Sequence, residues 1–278
     1  MLKTRIITAL VLLAVILPVL FSGIYAAFAV LALVFFACAI WESQRLFAQQ
    51  QAIFGAALWT LLYAAALWQQ QFAGAIYLFG LCCGIWGLRF TSNLALGLPA
   101  VNSLANRLLN NIYNVAILGC FVALVALFLH SPQYLLSCMA LVWIADIGAY
   151  FSGKAFGKRK LAISISPGKS WEGAIGGGIA VLLISSAVVW LAADFPILQD
   201  TLVVAMQKQW GWLVMLPVLA LISAASVVGD LVESQLKRRV QMKDSSNLLP
   251  GHGGVLDRID ALIPVLPLAA LLDLILRM

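Results

Sequence analysis

Nine apolar stretches divide the chain, at roughly 6–22, 24–41, 52–68, 72–90, 111–130, 133–153, 173–193, 211–236 and 258–276, and most are long enough to cross a hydrocarbon layer. Lipid offers backbone N–H and C=O groups no partner. Such a chain therefore folds as helices unless it can close a barrel, and the short alternating strands of a barrel are not seen. With 63% of the 278 residues hydrophobic and 10% charged, little is left for a water-facing domain. The expected fold class is all-α: a polytopic integral membrane protein of about nine transmembrane helices, with its N-terminus cytoplasmic. The composition excludes an ordinary soluble enzyme, a disordered chain, a disulfide scaffold and a nucleic-acid-binding module. Cys38, Cys82, Cys83, Cys120 and Cys138 lie inside apolar stretches without metal-ligand spacing, and read as small core residues.

Charge placement sets the expected sidedness. The start, with Lys3 and Arg5 before an apolar run, has the form of a signal peptide, but the next apolar stretch follows at once and an uncleaved first helix is the better reading. On a nine-span, N-in topology every Lys and Arg except Lys208 and Arg277 falls on the inner side, as the positive-inside rule requires. Trp41, Trp68, Trp86, Trp190, Trp210 and Trp212 sit near span ends and are expected as interfacial anchors. Gly173 and Gly177 permit close helix contact, within the chain or in a homodimer. His130, beside Ser131-Pro132, reads as a solvated residue of an external turn. Two regions are expected: helices of 1–130, and a catalytic membrane region of 131–278 with cytoplasmic loops at 154–172 and 237–257.

Ionisable groups are costly in a bilayer, so their positions mark where function outweighs lipid solubility. They gather in two loops. Asp230, Glu233, Ser234 and Lys237 recur at spacings of three and four, on one helix face; a set of salt bridges at a helix end would give the same pattern. Pro250-Gly-His252-Gly253-Gly254 is a backbone able to take positive φ and approach a ligand closely. Asp257 and Asp260 follow on a first helical turn, where they suit the helix dipole as caps or as ligands. Asp230 and Asp257 offer hard oxygens to Mg²⁺, which takes one or two carboxylates plus substrate phosphates, and the surrounding Lys and Arg would neutralise those phosphates. In the other loop, Gly168-Lys169-Ser170 has the end of a Walker A sequence but isoleucine at 163, where its first glycine belongs. It is read as a turn running into a helix N-terminus, with Lys169 contacting phosphate.

Residues 234–260 resemble the signature of phosphatidate cytidylyltransferases, also called CDP-diacylglycerol synthases: Ser-x-x-Lys-Arg, then Lys-Asp, then Pro-x-His-Gly-Gly-x-x-Asp-Arg-x-Asp. Every fixed position is present: Ser234, Lys237, Arg238, Lys243, Asp244, Pro250, His252, Gly253, Gly254, Asp257, Arg258 and Asp260. The resemblance extends to Gly229-Asp230 and Glu233, to Asp146-x-Gly-Ala-Tyr150 and to Ser166-Pro-Gly-Lys-Ser-Trp-Glu-Gly173, and so covers the C-terminal half. Ser170 stands where the family usually has threonine; a hydroxyl remains. The N-terminal half matches only as hydrophobic spans.

The resemblance implies that CTP and phosphatidic acid give CDP-diacylglycerol and pyrophosphate, with Mg²⁺, at the cytoplasmic face of the inner membrane. Carried onto this sequence, it places Asp230, Asp257, Lys237 and His252 in catalysis, and Asp230, Asp257 and Asp260 on the metal. Substrate contacts fall to Asp146, Lys169, Ser170, Ser234, Arg238, Lys243, Asp244, Gly253, Gly254 and Arg258. His252 has two readings, donor to the leaving pyrophosphate or holder of the glycine-rich turn. A CTP-dependent lipid kinase would use a similar site but move the γ-phosphoryl group. A transporter would want ionisable groups near the bilayer midplane and internal repeats; here the charges collect at one surface.

Overall fold

The computed structural model describes residues 2–69 and 74–278 and is helical almost throughout. In chain order come α1 (Leu2–Phe21), α2 (Tyr25–Leu46), α3 (Ala52–Gln69), α4 (Ala75–Gly84), a π-helical stretch Ile85–Phe90, α5 (Thr91–Leu96), α6 (Leu104–His130) and α7 (Pro132–Phe156). A hairpin of β1 (Lys160–Ala162) and β2 (Ser166–Ser170) leads into α8 (Trp171–Leu191), followed by α9 (Leu202–Arg239), the short α10 (Leu256–Ile259) and α11 (Leu262–Leu276). The first residues of the expected stretch 72–90 lie outside the described residues; from Ala75 to Leu96 the chain is one helical run.

Eight helices among the described residues are long and apolar enough to cross a membrane. The ninth expected span, 258–276, is divided: α10 ends at Ile259, the chain turns at Asp260 and Ala261, and α11 keeps 15 residues. At 1.5 Å per residue α11 is about 22 Å long, short of a hydrocarbon core of about 30 Å. It compensates by burial, lying among α4, α6 and α9 with Pro264, Pro267 and Ala269 enclosed.

Serine caps start three of the helices. Ser103, Ser131 and Ser170 accept from the backbone N–H of Asn106, Tyr134 and Gly173 at 3.1, 3.0 and 3.1 Å, each satisfying a donor that the first helical turn would leave orphaned. Pro132 follows Ser131, where its fixed φ suits the first turn. In α9 the axis breaks at Gly211, whose φ of 69° only glycine adopts readily. The last turn of α9 carries Lys237, Arg238 and Arg239, the charge that a helix C-terminus favours.

The glycine spacing of α8 is used inside the chain. A Cβ on Gly177 would meet the Ala145 carbonyl at 2.5 Å, and one on Gly173 would meet the Ala149 carbonyl at 3.0 Å, so α7 and α8 touch backbone to backbone. Three of the five cysteines are buried and all are free. Trp68 and Trp190 are exposed as anchors should be, but Trp86 is not: it is buried in the π-helical stretch, packed on Phe90 and Tyr113. The helical run continues to Leu96, so Trp86 lies in its middle and not near the span end that suggested an anchor.

Polar groups separate to two ends of the bundle. At one end lie the hairpin, the 240–255 loop and the start of α1, where Arg5 Nε donates to the Gly251 carbonyl at 3.0 Å and Thr8 Oγ1 to the Pro250 carbonyl at 2.8 Å. Arg239 ties the same end to the Leu46 and Pro99 carbonyls and to Asn106 Oδ1. At the other end His130 is no free loop residue. It stacks on Tyr134, with Asp200 at 3.1 Å from Nε2 and Asp273 at 3.0 Å from Nδ1, and so joins α6 and α7 to the turn before α9 and to α11.

Candidate active site

α7, α8 and α9 diverge toward the hairpin end, and the space between them is a cavity of about 530 Å³. It is lined by small residues, Ala145, Ala149, Ala174, Gly177 and Gly178, and by charged ones, Asp146, Lys154, Lys169, Asp230, Asp257, Arg258 and Asp260. Three discontinuous segments of sequence meet here, two from inside long helices and one from a turn. Asp146 lies ten residues before the end of α7, Asp230 nine before the end of α9, and Asp260 in the turn between α10 and α11. Gly229 allows the last meeting: a Cβ there would run into the Asp260 carbonyl and lie 2.9 Å from Pro264 Cδ.

The hairpin delivers Lys169, which pairs with Asp230. The segment 168–170 is therefore a strand, with Lys160 opposite Ser170 and Ala162 opposite Ser166, where a turn was expected. Strand pairing extends the chain up to the helix, so that Ser170 lines the cavity and caps α8. Glu172 accepts the backbone N–H groups of Lys158 and Arg159 at 3.1 Å, and Arg238 Nε donates to the Ile165 carbonyl at 3.3 Å, pinning the hairpin from both ends. Ser234 Oγ donates to Asp230 Oδ1 at 3.3 Å.

Asp257 is the most heavily bonded of the expected residues. Its Oδ2 accepts from Ser245 N, Ser245 Oγ and Gly254 N at 2.8, 2.9 and 2.8 Å, and Oδ1 from Lys237 Nζ at 2.5 Å. Burial works against its charge, but the hydrogen bonds from Lys237 and from the Gly254 and Ser245 N–H groups outweigh that and hold its carboxyl below the usual carboxylate range. Lys237 also pairs with Glu233, which is fully buried. Lys237 thus stands behind Asp257, outside the set of residues lining the cavity.

The structure does not bring every expected contact to the cavity. Lys243 and Asp244 line a separate recess of about 270 Å³ with Arg45. Arg238 holds the hairpin. Gly251 and Gly253 take φ of 78° and 86°, the left-handed conformations that their residue type anticipated. Gly253 and Gly254 make room for neighbours: a Cβ on Gly253 would lie 2.7 Å from Asp257 Oδ2, and one on Gly254 would overlap Ser245 and Glu42. His252 works through its backbone, its N–H donating to the Leu249 carbonyl and its carbonyl accepting from Arg258, both at 2.8 Å. Its Nδ1 is buried with no partner among the described residues.

Sequence reasoning passed over Glu42. On α2, fully buried, it accepts from Ser245 Oγ at 3.1 Å, Ser246 Oγ at 2.5 Å, Val255 N at 3.0 Å and Leu256 N at 2.7 Å. A signal was present, since no other Asp or Glu occurs before Asp146.

Four carboxylates, Asp146, Asp230, Asp257 and Asp260, line the cavity with three cations, Lys154, Lys169 and Arg258. Burial first, and then the charge of Asp230, push the Asp260 carboxyl up to about 7. A divalent cation relieves that condition. Among the described residues no three His, Cys, Asp or Glu side chains stand together as a ready metal cage. The donors fit an ion that takes one or two carboxylates, here Asp230 and Asp260, and completes its shell with water and ligand phosphates. Asp257 could add Oδ1, which it shares with Lys237.

Fold and cavity together define a class: a polytopic membrane protein whose helices enclose a site lined by both small and charged residues, suited to an amphiphile bearing phosphate. The sequence model of the cytidylyltransferase family matches residues 3–276. The chain belongs to that family. It is 41% identical to a phosphatidate cytidylyltransferase of Pseudomonas aeruginosa over 98% of this chain and 97% of that protein. It is 49% identical to one of Haemophilus influenzae over 50% of this chain and 46% of that protein. With one of Bacillus subtilis the identity is 40%, over the same shares of each.

Proposed function

We propose that the protein transfers the cytidylyl group of CTP to phosphatidic acid, giving CDP-diacylglycerol and pyrophosphate, at the cytoplasmic face of the inner membrane and with Mg²⁺. The observation that carries this reading is one cavity in which small residues of α7 and α8, with Ser223 and Val227 of α9, stand beside Asp146, Lys169, Asp230, Arg258 and Asp260. A diacyl chain needs the first and a phosphate-to-phosphate reaction the second. The close relation to proteins named phosphatidate cytidylyltransferase supports the choice of substrates.

In the reaction a phosphatidate oxygen bonds to the α-phosphorus of CTP while the bond to the β-phosphate oxygen breaks. The attacking phosphate monoester is anionic near neutral pH, so the chain needs no strong general base, and catalysis rests on alignment and charge neutralisation. Lys169 exchanges Asp230 for a substrate phosphate, and Arg258 neutralises a second. Asp230 and Asp260 would hold Mg²⁺, with Asp257 beside them and Asp146 bordering the same space. When bound, Mg²⁺ supplies positive charge to the phosphate oxygens. Lys237, paired with Glu233 and Asp257, keeps Asp257 ionised and in place.

The test is incubation of detergent-purified protein with phosphatidic acid, Mg²⁺ and CTP labelled separately on the cytosine and on the γ-phosphate. Cytosine label in the lipid with γ label in pyrophosphate is the expected result. Label from the γ-phosphate in the lipid would mean a lipid kinase, and transfer of neither label by folded protein would return the cavity to a transport role.

A further inference from the structure

Glu42 sits in α2, in the half of the chain that lies outside the signature, yet its carboxylate is enclosed and, among the described residues, its hydrogen-bond donors all belong to residues 245–256. We infer that Glu42 is a positioning residue: it fixes the loop between α9 and α10 and, through Ser245, the orientation of the Asp257 carboxylate. The inference rests on the reading of Asp257 as part of the cytidylyl-transfer site.

The geometry demands a carboxylate. Oε1 accepts from Ser246 Oγ and the Val255 N–H, and Oε2 from Ser245 Oγ and the Leu256 N–H. Each oxygen therefore faces one backbone donor that cannot be turned away. An amide of the same shape has one oxygen and one NH₂, so whichever way it lies its N–H groups point at a backbone N–H. Val255 and Leu256 lead into α10, whose first-turn N–H groups have no partners within the helix. Glu42 supplies those acceptors from another element, and its charge suits that end of the turn.

The connection to the site is one residue long. The Ser245 hydroxyl lies between Glu42 Oε2 and Asp257 Oδ2, which share its one hydrogen, and its N–H donates to Asp257 Oδ2 at 2.8 Å. A displaced Ser245 leaves Asp257 Oδ2 with the Gly254 N–H alone among these three contacts. Gly254 is held by the same arrangement, because any Cβ there would occupy the space of Glu42 Oε1 and Ser245 Oγ. From the outside Arg5 and Thr8 of α1 bond the carbonyls of Gly251 and Pro250. The N-terminal helices thus clamp the loop on two sides.

The test is Glu42→Gln in the full-length protein, with cytidylyl transfer and amide hydrogen exchange measured on the same preparation. The expected result is a kcat lowered about 30-fold, equivalent to ~2 kcal/mol at about 1.36 kcal/mol per tenfold. KM for phosphatidic acid should stay within about threefold, because the small-residue lining of the cavity is untouched, and exchange should accelerate at Val255 and Leu256. Glu42→Asp, which keeps both acceptor oxygens, should recover part of kcat. Should Glu42→Gln fail to insert, Ser245→Ala removes the hydroxyl shared by Glu42 and Asp257 while leaving the backbone N–H of residue 245 on Asp257 and Glu42 on the Val255 and Leu256 amides; kcat should fall with exchange there unchanged. An unaltered kcat in either folded variant would overturn the inference, as would unaltered exchange in Glu42→Gln. Absence of cytidylyl transfer in the unmodified protein would instead sink the reading of the site, and the exchange result would still decide what Glu42 holds.

Discussion

Lys237→Met separates two accounts of one lysine. By sequence pattern it binds phosphate; in the structure its ammonium lies between Glu233 and Asp257, with side-chain exposures of 11%, 0% and 4% for Lys237, Glu233 and Asp257. Methionine keeps the length and loses the charge, leaving two enclosed carboxylates without their shared cation. Breaking a buried ion pair from one side costs about 3–5 kcal/mol, since the remaining charge stays buried. With about 2–4 °C of melting temperature per kcal/mol in a chain approaching this size, the midpoint should fall by roughly 10 °C. Glu233→Gln removes one carboxylate and keeps the Lys237–Asp257 bond, so its shift should be smaller, and combining it with Lys237→Met should recover part of the loss. Thermal unfolding in a fixed detergent, followed by tryptophan fluorescence, reads all three. A Lys237→Met midpoint within about 2 °C of the parent, together with a raised KM for CTP, would refute the reasoning and return Lys237 to the phosphates.

Asp230→Asn should lower turnover by at least about 100-fold while the protein still inserts and melts cooperatively, because an amide offers the cation and Lys169 one neutral oxygen in place of a carboxylate. Gly177→Val drives a side chain against the Ala145 carbonyl, opening the α7–α8 seam; a loss of about 1–3 kcal/mol is expected, with phosphatidic acid binding weakened more than CTP binding. A reporter fused after Met278 should read as external, and an internal reading would sink the nine-span topology.

The fold was legible where lipid dictates it. Runs of apolar residues gave nearly every helix, since a backbone in hydrocarbon has no other way to pair its polar groups. The exception, α11, misled because the apolar residues around Asp257 and Asp260 continue its hydropathy while the chain itself turns at Asp260. The cavity was legible as two clusters of charge, and Asp146, Lys169, Asp230, Asp257, Arg258 and Asp260 do meet in it. What the pattern could not convey was which ionisable groups face ligand and which face each other. Lys237 and Arg238 look alike in sequence; one is enclosed by carboxylates and the other ties a hairpin that no local propensity announced. Glu42 escaped because its partners lie far along the chain and periodicity reports only neighbours.

That distance bears on how the protein is made. Glu42 bonds residues 203 to 214 positions later, a separation at which loop closure is slow and depends on nearly the whole chain being present. As the chain enters the membrane from its N-terminus, α2 must carry an unpaired carboxylate through most of synthesis, until residues 245–256 arrive. The last polar loop to be translated is thus the one that relieves the earliest buried charge, and a chain released short of it has neither a settled α2 nor an assembled site.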